Sequence, residues 1–279
     1  MDKYVLITGA TSGIGLAAAR ELAGRGARIG LVARNRPKAE KIAADLGGAD
    51  VFEADLTSQD SIRRVTTEIL ASCPRIDVLV NNAGAMYGQH RSSVDGIELT
   101  WAVNVLAPYL LSTLLLDRLR ETPGVRVITT SSRGHGMARR GIEWDDLDAR
   151  RRYTRFARLI GGPGRRYGES KLAAILLMRE LADRQDSVGA FTFEPGLVAT
   201  SFGSNTGAVL RAQMQMMRPF MRTPEQGAET LVWLASGADA TPGGYYSDKK
   251  LTEPKPPAQN PAAARRLWET CERQTTLPK

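Results

Sequence analysis

Short apolar runs alternate with helical periods along the first eighty residues of the chain. The runs at 3–8 (KYVLIT), 28–34 (RIGLVAR), 50–53 (DVFE) and 76–81 (IDVLVN) have the length and β-branched content of buried strands. Between them, residues 14–25, 36–46 and 58–72 space their apolar positions as one face of a helix. Strand, helix and strand at this interval predict right-handed βαβ units and therefore a parallel sheet. The alternation continues with a long helical stretch at 93–121, a strand at 125–131, a helix at 167–184 and a strand at 188–194. A short strand at 243–247 (GGYYS) would bring the sheet to about seven strands. The pattern predicts one α/β domain over residues 1–279, a doubly wound parallel sheet flanked by helices, with a ligand crevice at the carboxyl ends of the strands. No internal repeat is visible. The proline-rich segment 253–261 (EPKPPAQNP) precedes a short final helix, so residues 248–279 read as a tail that wraps the domain.

Composition narrows the setting. A chain of 279 residues with 42% hydrophobic content can bury a full core. Cys73, Cys271, His90 and His135 are too few and too scattered for a disulfide framework or a metal cluster, so no metal and a reducing cytoplasm are expected. The N-terminus enters its first apolar run directly, without the charged and apolar regions of a secretion signal. The apolar run at 105–116 is interrupted by Pro108 and falls short of the roughly 20 residues that cross a bilayer. A soluble protein without a membrane partner is expected. The net charge of +8 is concentrated: ten arginines between Arg133 and Arg166 face Glu143, Asp145, Asp146 and Asp148, an excess of 10 − 4 = 6. No zinc-finger spacing or RNA-binding aromatic pattern accompanies it, so no nucleic-acid partner is expected.

The chemistry begins where the first strand ends. In TGATSGIG (8–15), Gly9, Gly13 and Gly15 allow a tight turn, a close approach of backbone to a pyrophosphate, and a close helix-to-strand contact, with the diphosphate at a helix N-terminus. The loop lies inside a βαβ unit, the context a dinucleotide site requires. In YGESK (167–171), Tyr167 and Lys171 are four apart and share a helix face. That pentapeptide alone reads equally as a solvated pair or as a phenol tuned by an ammonium.

Taken together, the motifs resemble the short-chain dehydrogenase/reductase superfamily. They are the Gly-x-x-x-Gly-x-Gly turn, ADL (54–56), NNAG (81–84), VNVLAPYLL (103–111), the serine pair 131–132, YGESK and PGLVAT (195–200). The resemblance implies a Rossmann fold and a catalytic set of Asn104, Ser132, Tyr167 and Lys171. It implies cofactor contacts from Gly9, Thr11, Ser12, Gly13, Ile14 and Gly15 in the turn, and from Asp55 and Leu56 beside the adenine. Further contacts are implied for Asn82, Ala83 and Gly84 after the fourth strand, for Tyr167 and Lys171, and for Pro195, Gly196, Val198 and Thr200 over the nicotinamide. NNAGAMYG, DGIELTWAVNVLAPYLL, GGYYSD and ARRLWE are similar to the retinol-dehydrogenase-like group, which acts on carbonyls and alcohols of bulky lipophilic molecules. Animal members of that group often carry an N-terminal membrane anchor, whereas this chain starts at its first strand.

These implications define an expected reaction: hydride passes between the nicotinamide and a carbonyl or carbinol carbon, with Tyr167 as acid or base. Lys171 and the oxidised nicotinamide are expected to favour the phenolate. By resemblance, Lys171 also binds the nicotinamide ribose, Ser132 holds the substrate oxygen, and Asn104 anchors a water relay. Strand alternation allows only one of Ser131 and Ser132 to face the substrate and does not choose between them; the resemblance favours Ser132. His135 reads either as a solvated loop residue or as a substrate contact, and Glu169 as facing solvent or a neighbouring helix. Ala33 and Arg34 stand where an acidic residue would bind an NAD ribose, and a guanidinium pairs well with a 2′-phosphate, so NADP(H) is expected over NAD(H), with Ser12 as a second phosphate ligand.

The rival functions are an NAD-dependent sugar-nucleotide epimerase or dehydratase and a catalytically silent nucleotide-sensing protein. A homodimer is expected through the helices that carry Asn104 and Tyr167, although core burial explains the leucines of 110–116 equally well. The insertion 133–166 reads as a substrate-selecting flap carrying Trp144, Tyr153 and Phe156 and ending in a flexible GGPGRR (161–166), or as a solvated surface excursion.

Overall fold

Strand alternation and helix periodicity resolve into a sheet with helices on both faces in a computed structural model that describes residues 2–199 and 221–276. The sheet order is β3-β2-β1-β4-β5-β6-β7-β8. The first three strands are β1 (Tyr4–Thr8), β2 (Arg28–Ala33) and β3 (Asp50–Glu53), and β4 (Val78–Asn81), β5 (Arg126–Thr130) and β6 (Gly189–Glu194) continue on the other side. Seven strands run parallel, ending with β7 (Tyr245–Ser247). The two-residue β8 (Lys250–Leu251) then turns back antiparallel, an addition the sequence pattern did not show. Strand order reverses between β1 and β4, and the crevice opens at their carboxyl ends.

One apolar layer packs α1 (Gly13–Gly24) and α2 (Arg36–Asp45) on the sheet, with Val5, Ile7, Leu22, Leu31 and Val80 in its core. The other layer seats α3 (Gln59–Ser72) and the helices described below around Leu6, Ile69, Leu79, Trp101 and Leu111. Side chains of β1 alternate between the two layers, as the two-residue strand period requires.

The predicted long helix at 93–121 is broken into pieces. It starts as a short α4 (Leu99–Trp101), passes through a π-helical segment at Ala102–Leu106, and continues as α5 (Ala107–Leu114) and α6 (Leu116–Arg120). Pro108 explains the interruption. It has no N–H to give to the carbonyl of Asn104 four residues earlier, so the ladder widens there, and the Ala107 N–H reaches Ala102 instead. Of the leucines of 110–116, Leu110, Leu111 and Leu115 are buried in the core, and Leu114 and Leu116 pack against it half-buried.

The insertion folds as a 3₁₀ turn (Arg133–Met137), a second such turn (Arg150–Tyr153) and α7 (Arg155–Leu159). Residues 162–166, expected to be a flexible link, instead form the first turns of α8 (Gly162–Arg184), and Arg166 is fully buried. Gly162 is required there, because a Cβ would lie 2.1 Å from the Arg152 carbonyl oxygen. After β6 come α9 (Pro224–Ala235), β7 and β8, and α10 (Pro261–Thr275) packs along α8. Among the described residues, no helix is long and apolar enough to cross a membrane.

Candidate active site

The dinucleotide cleft forms where strands β1 to β4 end. It has a volume of about 380 Å³, and Gly9, Thr11, Ser12, Gly13 and Ile14 form its floor at the N-terminus of α1. Gly9 and Gly13 adopt positive φ angles of 70° and 56°, which only glycine holds without strain. A Cβ on Gly15 would lie 2.5 Å from the Asn82 side chain and 2.6 Å from the Gly9 carbonyl, so this glycine serves close packing behind the cleft and does not line it. Ser12 occupies the N-cap position but makes no side-chain capping bond, which leaves its hydroxyl to the cleft.

Arg34 stands exposed at the end of β2 on one wall, while Arg36 is paired with Glu40 at 2.9 Å. Asp55 and Leu56 form the wall after β3, and the Asp55 carboxylate accepts both the amide and the hydroxyl of Thr57. Asn82, Ala83 and Gly84 line the inner end. The Thr8 hydroxyl accepts the amides of Asn82 and Ala83 at 3.0 Å, tying the ends of β1 and β4 together.

Sequence reasoning missed Thr57 and Tyr87, which also line the cleft. Thr57 follows ADL directly and was within reach of the motif. Tyr87 sits in an irregular stretch with no periodic signal. Pro195, Gly196 and Val198 leave β6 beyond these walls, with the Gly196 amide bound to Glu194 and Val198 packed on Gly227. Thr200 lies outside the described residues.

The four candidate catalytic residues gather at the ends of β4 and β5. Asn104 sits in the π-helical segment and is buried. Its amide nitrogen donates to the Ala85 carbonyl and the Ser170 hydroxyl at 2.9 Å each, and its oxygen accepts the Ala85 amide at 2.8 Å. Every wide-helix residue here is buried, and the widened turn is what aims Asn104 at the inner end of the cleft. A Cβ on Gly84 would fall 3.3 Å from the Lys171 ammonium and 3.4 Å from the Asn104 oxygen, so these two groups flank the same glycine.

The backbone settles the direction of the serine pair. Ser131 is buried and its hydroxyl donates to the Lys171 carbonyl at 2.9 Å, supporting α8 from behind. Ser132 points the other way: its hydroxyl accepts the Gly134 amide at 3.0 Å, and both that hydroxyl and the Tyr167 ring lie within 3.3 Å of where a Gly134 Cβ would be.

In the protein alone, burial governs the charge states of Tyr167 and Lys171. Burial pushes the Tyr167 phenol up to about 12, and a hydrogen bond from Ser132 opposes that rise. Burial likewise brings Lys171 down to about 8. Desolvation disfavours both charges. The Lys171 ammonium spends a bond on the Thr130 carbonyl at 2.9 Å and lies 5.6 Å from the centre of the Tyr167 ring.

Two further residues read in alternative ways take definite places. His135 is not a solvated loop residue. It is buried, its Nδ1 lies 2.7 Å from the Ser132 carbonyl, and its Nε2 accepts the Lys255 amide at 3.1 Å. A ring that accepts at Nε2 must carry its proton on Nδ1, so His135 is the neutral tautomer donating to Ser132. Of the two readings of Glu169, solvent or a neighbouring helix, the second holds: it is buried and paired with Arg152 of the second 3₁₀ turn at 2.8 Å, and with Arg166 at 3.2 Å. Of the flap aromatics, Tyr153 is buried with its hydroxyl on Glu98 at 2.9 Å, Trp144 lies beneath the Arg266 guanidinium, and Phe156 stands exposed. Five of the ten arginines of this segment stand in ion pairs, namely Arg133, Arg150, Arg151, Arg152 and Arg166.

A doubly wound sheet with a glycine-turn cleft beside Asn, Ser, Tyr and Lys side chains defines a nicotinamide-dependent oxidoreductase. The chain belongs to the short-chain dehydrogenase/reductase superfamily: the short chain dehydrogenase family model matches residues 3–142. It is 40% identical over 275 residues to DnrU of Streptomyces sp. (strain C5), named as a daunorubicin C-13 ketoreductase, covering 96% of this chain and 90% of that protein. It is 36% identical over 281 residues to human retinol dehydrogenase 12, covering 97% of this chain and 85% of that one. Among solved structures, an alcohol dehydrogenase from the archaeon Thermococcus sibiricus complexed with 5-hydroxy-NADP superposes with a TM-score of 0.66 at 26% identity, over 91% of this chain and all of that one. The protein is therefore an oxidoreductase of alcohol and ketone groups that uses a nicotinamide cofactor.

Proposed function

We propose that the chain is an NADPH-dependent reductase of a ketone or aldehyde carried on a bulky lipophilic or aromatic molecule, with Tyr167 as the proton donor. The observation that carries this reading is the convergence of Ser132 and Tyr167 about Gly134, and of Lys171 and Asn104 about Gly84 at the cleft's inner end. The cleft fits the cofactor: glycines with positive φ at the N-terminus of α1 leave backbone room for a diphosphate, and exposed Arg34 with uncommitted Ser12 suits a 2′-phosphate. When bound, the nicotinamide supplies the hydride.

The chain's own side chains handle the proton. Burial keeps the Tyr167 phenol protonated at neutral pH, the state a reduction needs. The phenol gives its proton to the substrate oxygen while the Ser132 hydroxyl donates a second hydrogen bond to it. Lys171, lowered to about 8, exchanges protons near neutral pH and with Asn104 restores the phenol. A lipophilic substrate agrees with Met137, which is 45% exposed and whose methyl comes within 3.3 Å of the Gly134 Cβ position beside Tyr167. It also agrees with the C-13 ketone in the name of DnrU and the retinol in that of the human relative.

The reading is tested by following the absorbance of NADPH and of NADH with purified protein and a panel of ketones, aldehydes and quinones. Consumption with bulky carbonyls and a clear preference for NADPH is expected. Tight NADPH binding without turnover on any carbonyl would favour the silent nucleotide-sensing alternative.

A further inference from the structure

Arg166 immediately precedes Tyr167, and its side chain is fully buried, an unusual place for a guanidinium. Its Nε donates to Glu98 at 2.9 Å, its Nη1 to Glu169 at 3.2 Å and its Nη2 to the Leu147 carbonyl. Its flat face lies 4.5 Å from the centre of the Trp101 ring. Glu98 is as deeply buried and fully committed. One oxygen accepts the Thr100 amide at 2.9 Å and the Tyr153 hydroxyl at 2.9 Å; the other accepts the Trp101 amide at 3.0 Å and Arg166. Burial works to raise the Glu98 carboxyl, but Arg166 and the backbone donors outweigh it and hold it below the usual range.

Glu98 therefore caps the helix that runs into the π-helical segment bearing Asn104, and Arg166 stands on the turn of α8 that bears Tyr167. One buried ion pair joins the two elements whose side chains the proton path needs. The insertion completes it: Tyr153 binds Glu98, Leu147 binds Arg166, and Arg152 bridges Glu169 to Glu143.

We propose that Glu98 and Arg166 are a positioning pair that sets the spacing between Asn104 and Tyr167, and that the insertion serves to lock this pair. The inference rests on the role proposed for Tyr167. A planar, five-donor guanidinium is what the site uses: its three nitrogens each bond a different acceptor, whereas Lys carries all its donors on one nitrogen and cannot reach acceptors so spread.

The test separates positioning from stability by removing one charge and then both. Arg166→Met leaves the buried Glu98 carboxylate unpaired and should lower both Tm and kcat. Glu98→Gln with Arg166→Met removes both charges, so much of the Tm should return, since a neutral buried pair avoids the uncompensated charge. The lost turnover should stay lost, because the geometry is not rebuilt. The double variant, assayed well below its Tm, is expected to show kcat down by about 10- to 100-fold, the cost of small misalignment of reacting groups, with the NADPH dissociation constant within a few-fold. Arg166→Lys should recover less than a tenth of the wild-type kcat. Recovery of kcat in step with Tm would assign the pair a purely structural role and overturn the inference. A wild-type protein that binds NADPH but reduces no carbonyl would instead remove the functional reading on which the inference stands.

Discussion

At the scale of single residues, the two serines now have distinct expected phenotypes. Ser132→Ala should lower kcat at least about tenfold, because a hydroxyl aimed at developing negative charge is worth most in the transition state. Ser131→Ala removes a buried bond to the Lys171 carbonyl and should cost about 1 kcal/mol of stability with a smaller effect on kcat. The reverse pattern in steady-state kinetics would exchange their roles. Arg34→Asp should reverse the coenzyme preference by weakening NADPH about 30- to 1000-fold, the loss of a charge-assisted contact plus a like-charge penalty of roughly 2–4 kcal/mol. A variant that keeps the original NADPH to NADH ratio would place the phosphate site elsewhere. The pH dependence follows from Lys171, whose lowered value means that its charge is present below about 8 and lost above it. The kcat/KM for NADPH, which reports groups of the free enzyme, should therefore decline above about pH 8.

Motif residues such as Gly9, Asn104, Ser132 and Lys171 were legible because each is a residue type in a fixed order along the chain. Their ionisation was not. The phenol and the ammonium are governed by burial, which depends on what other elements cover them and leaves no mark in the spacing of YGESK.

At the scale of elements, the strands were legible to within one or two residues, since β1 to β6 carry the apolar runs of a sheet covered on both faces. The exceptions have local causes. Pro108 signalled an interruption, yet only the fold shows that a π-helical turn answers it and aims Asn104 inward. β8 is too short to leave a periodic pattern. His135 looked like a loop histidine because its partners, the Ser132 carbonyl and the Lys255 amide, are three residues away on one side and 120 on the other.

That bridge ties the loop of Ser132 to the C-terminal tail and makes a pH prediction. The fold lowers the His135 value, mainly by burial, with nearby Lys255 acting in the same direction and Glu194 and the Ser132 carbonyl opposing. A depressed value means the neutral ring is the stabilised form. Its contribution is complete above the ordinary value of about 6.5 and is lost as pH falls through the lowered folded value. Lowering the pH from about 7 to about 5 should therefore reduce Tm more in the wild type than in His135→Gln, which cannot gain a proton. Equal losses would show that the bridge carries no pH dependence.

At the scale of the whole molecule, the 133–166 insertion is joined to the domain through buried charge. Replacing 139–160 with a glycine-serine link removes Glu143, Arg152 and Tyr153 and leaves Glu169 without one of its two arginines. Breaking a buried pair costs about 3–5 kcal/mol, so a pronounced drop in Tm is expected; an unchanged Tm would make the insertion a solvated excursion. The sequence showed the arginine excess but not its disposition, because Glu98 and Glu169 lie outside the segment and pair with it only after folding. Turnover in the proposed reaction depends on one proton donor, Tyr167, at the end of one cleft. Its most direct test is single-turnover reduction of a responsive carbonyl by NADPH in Tyr167→Phe, which keeps the ring and removes the hydroxyl. The account predicts NADPH affinity within a few-fold of wild type and a hydride-transfer rate reduced by at least about a hundredfold, at the lower end of what a general acid contributes. A variant that keeps a tenth or more of the wild-type rate would contradict it.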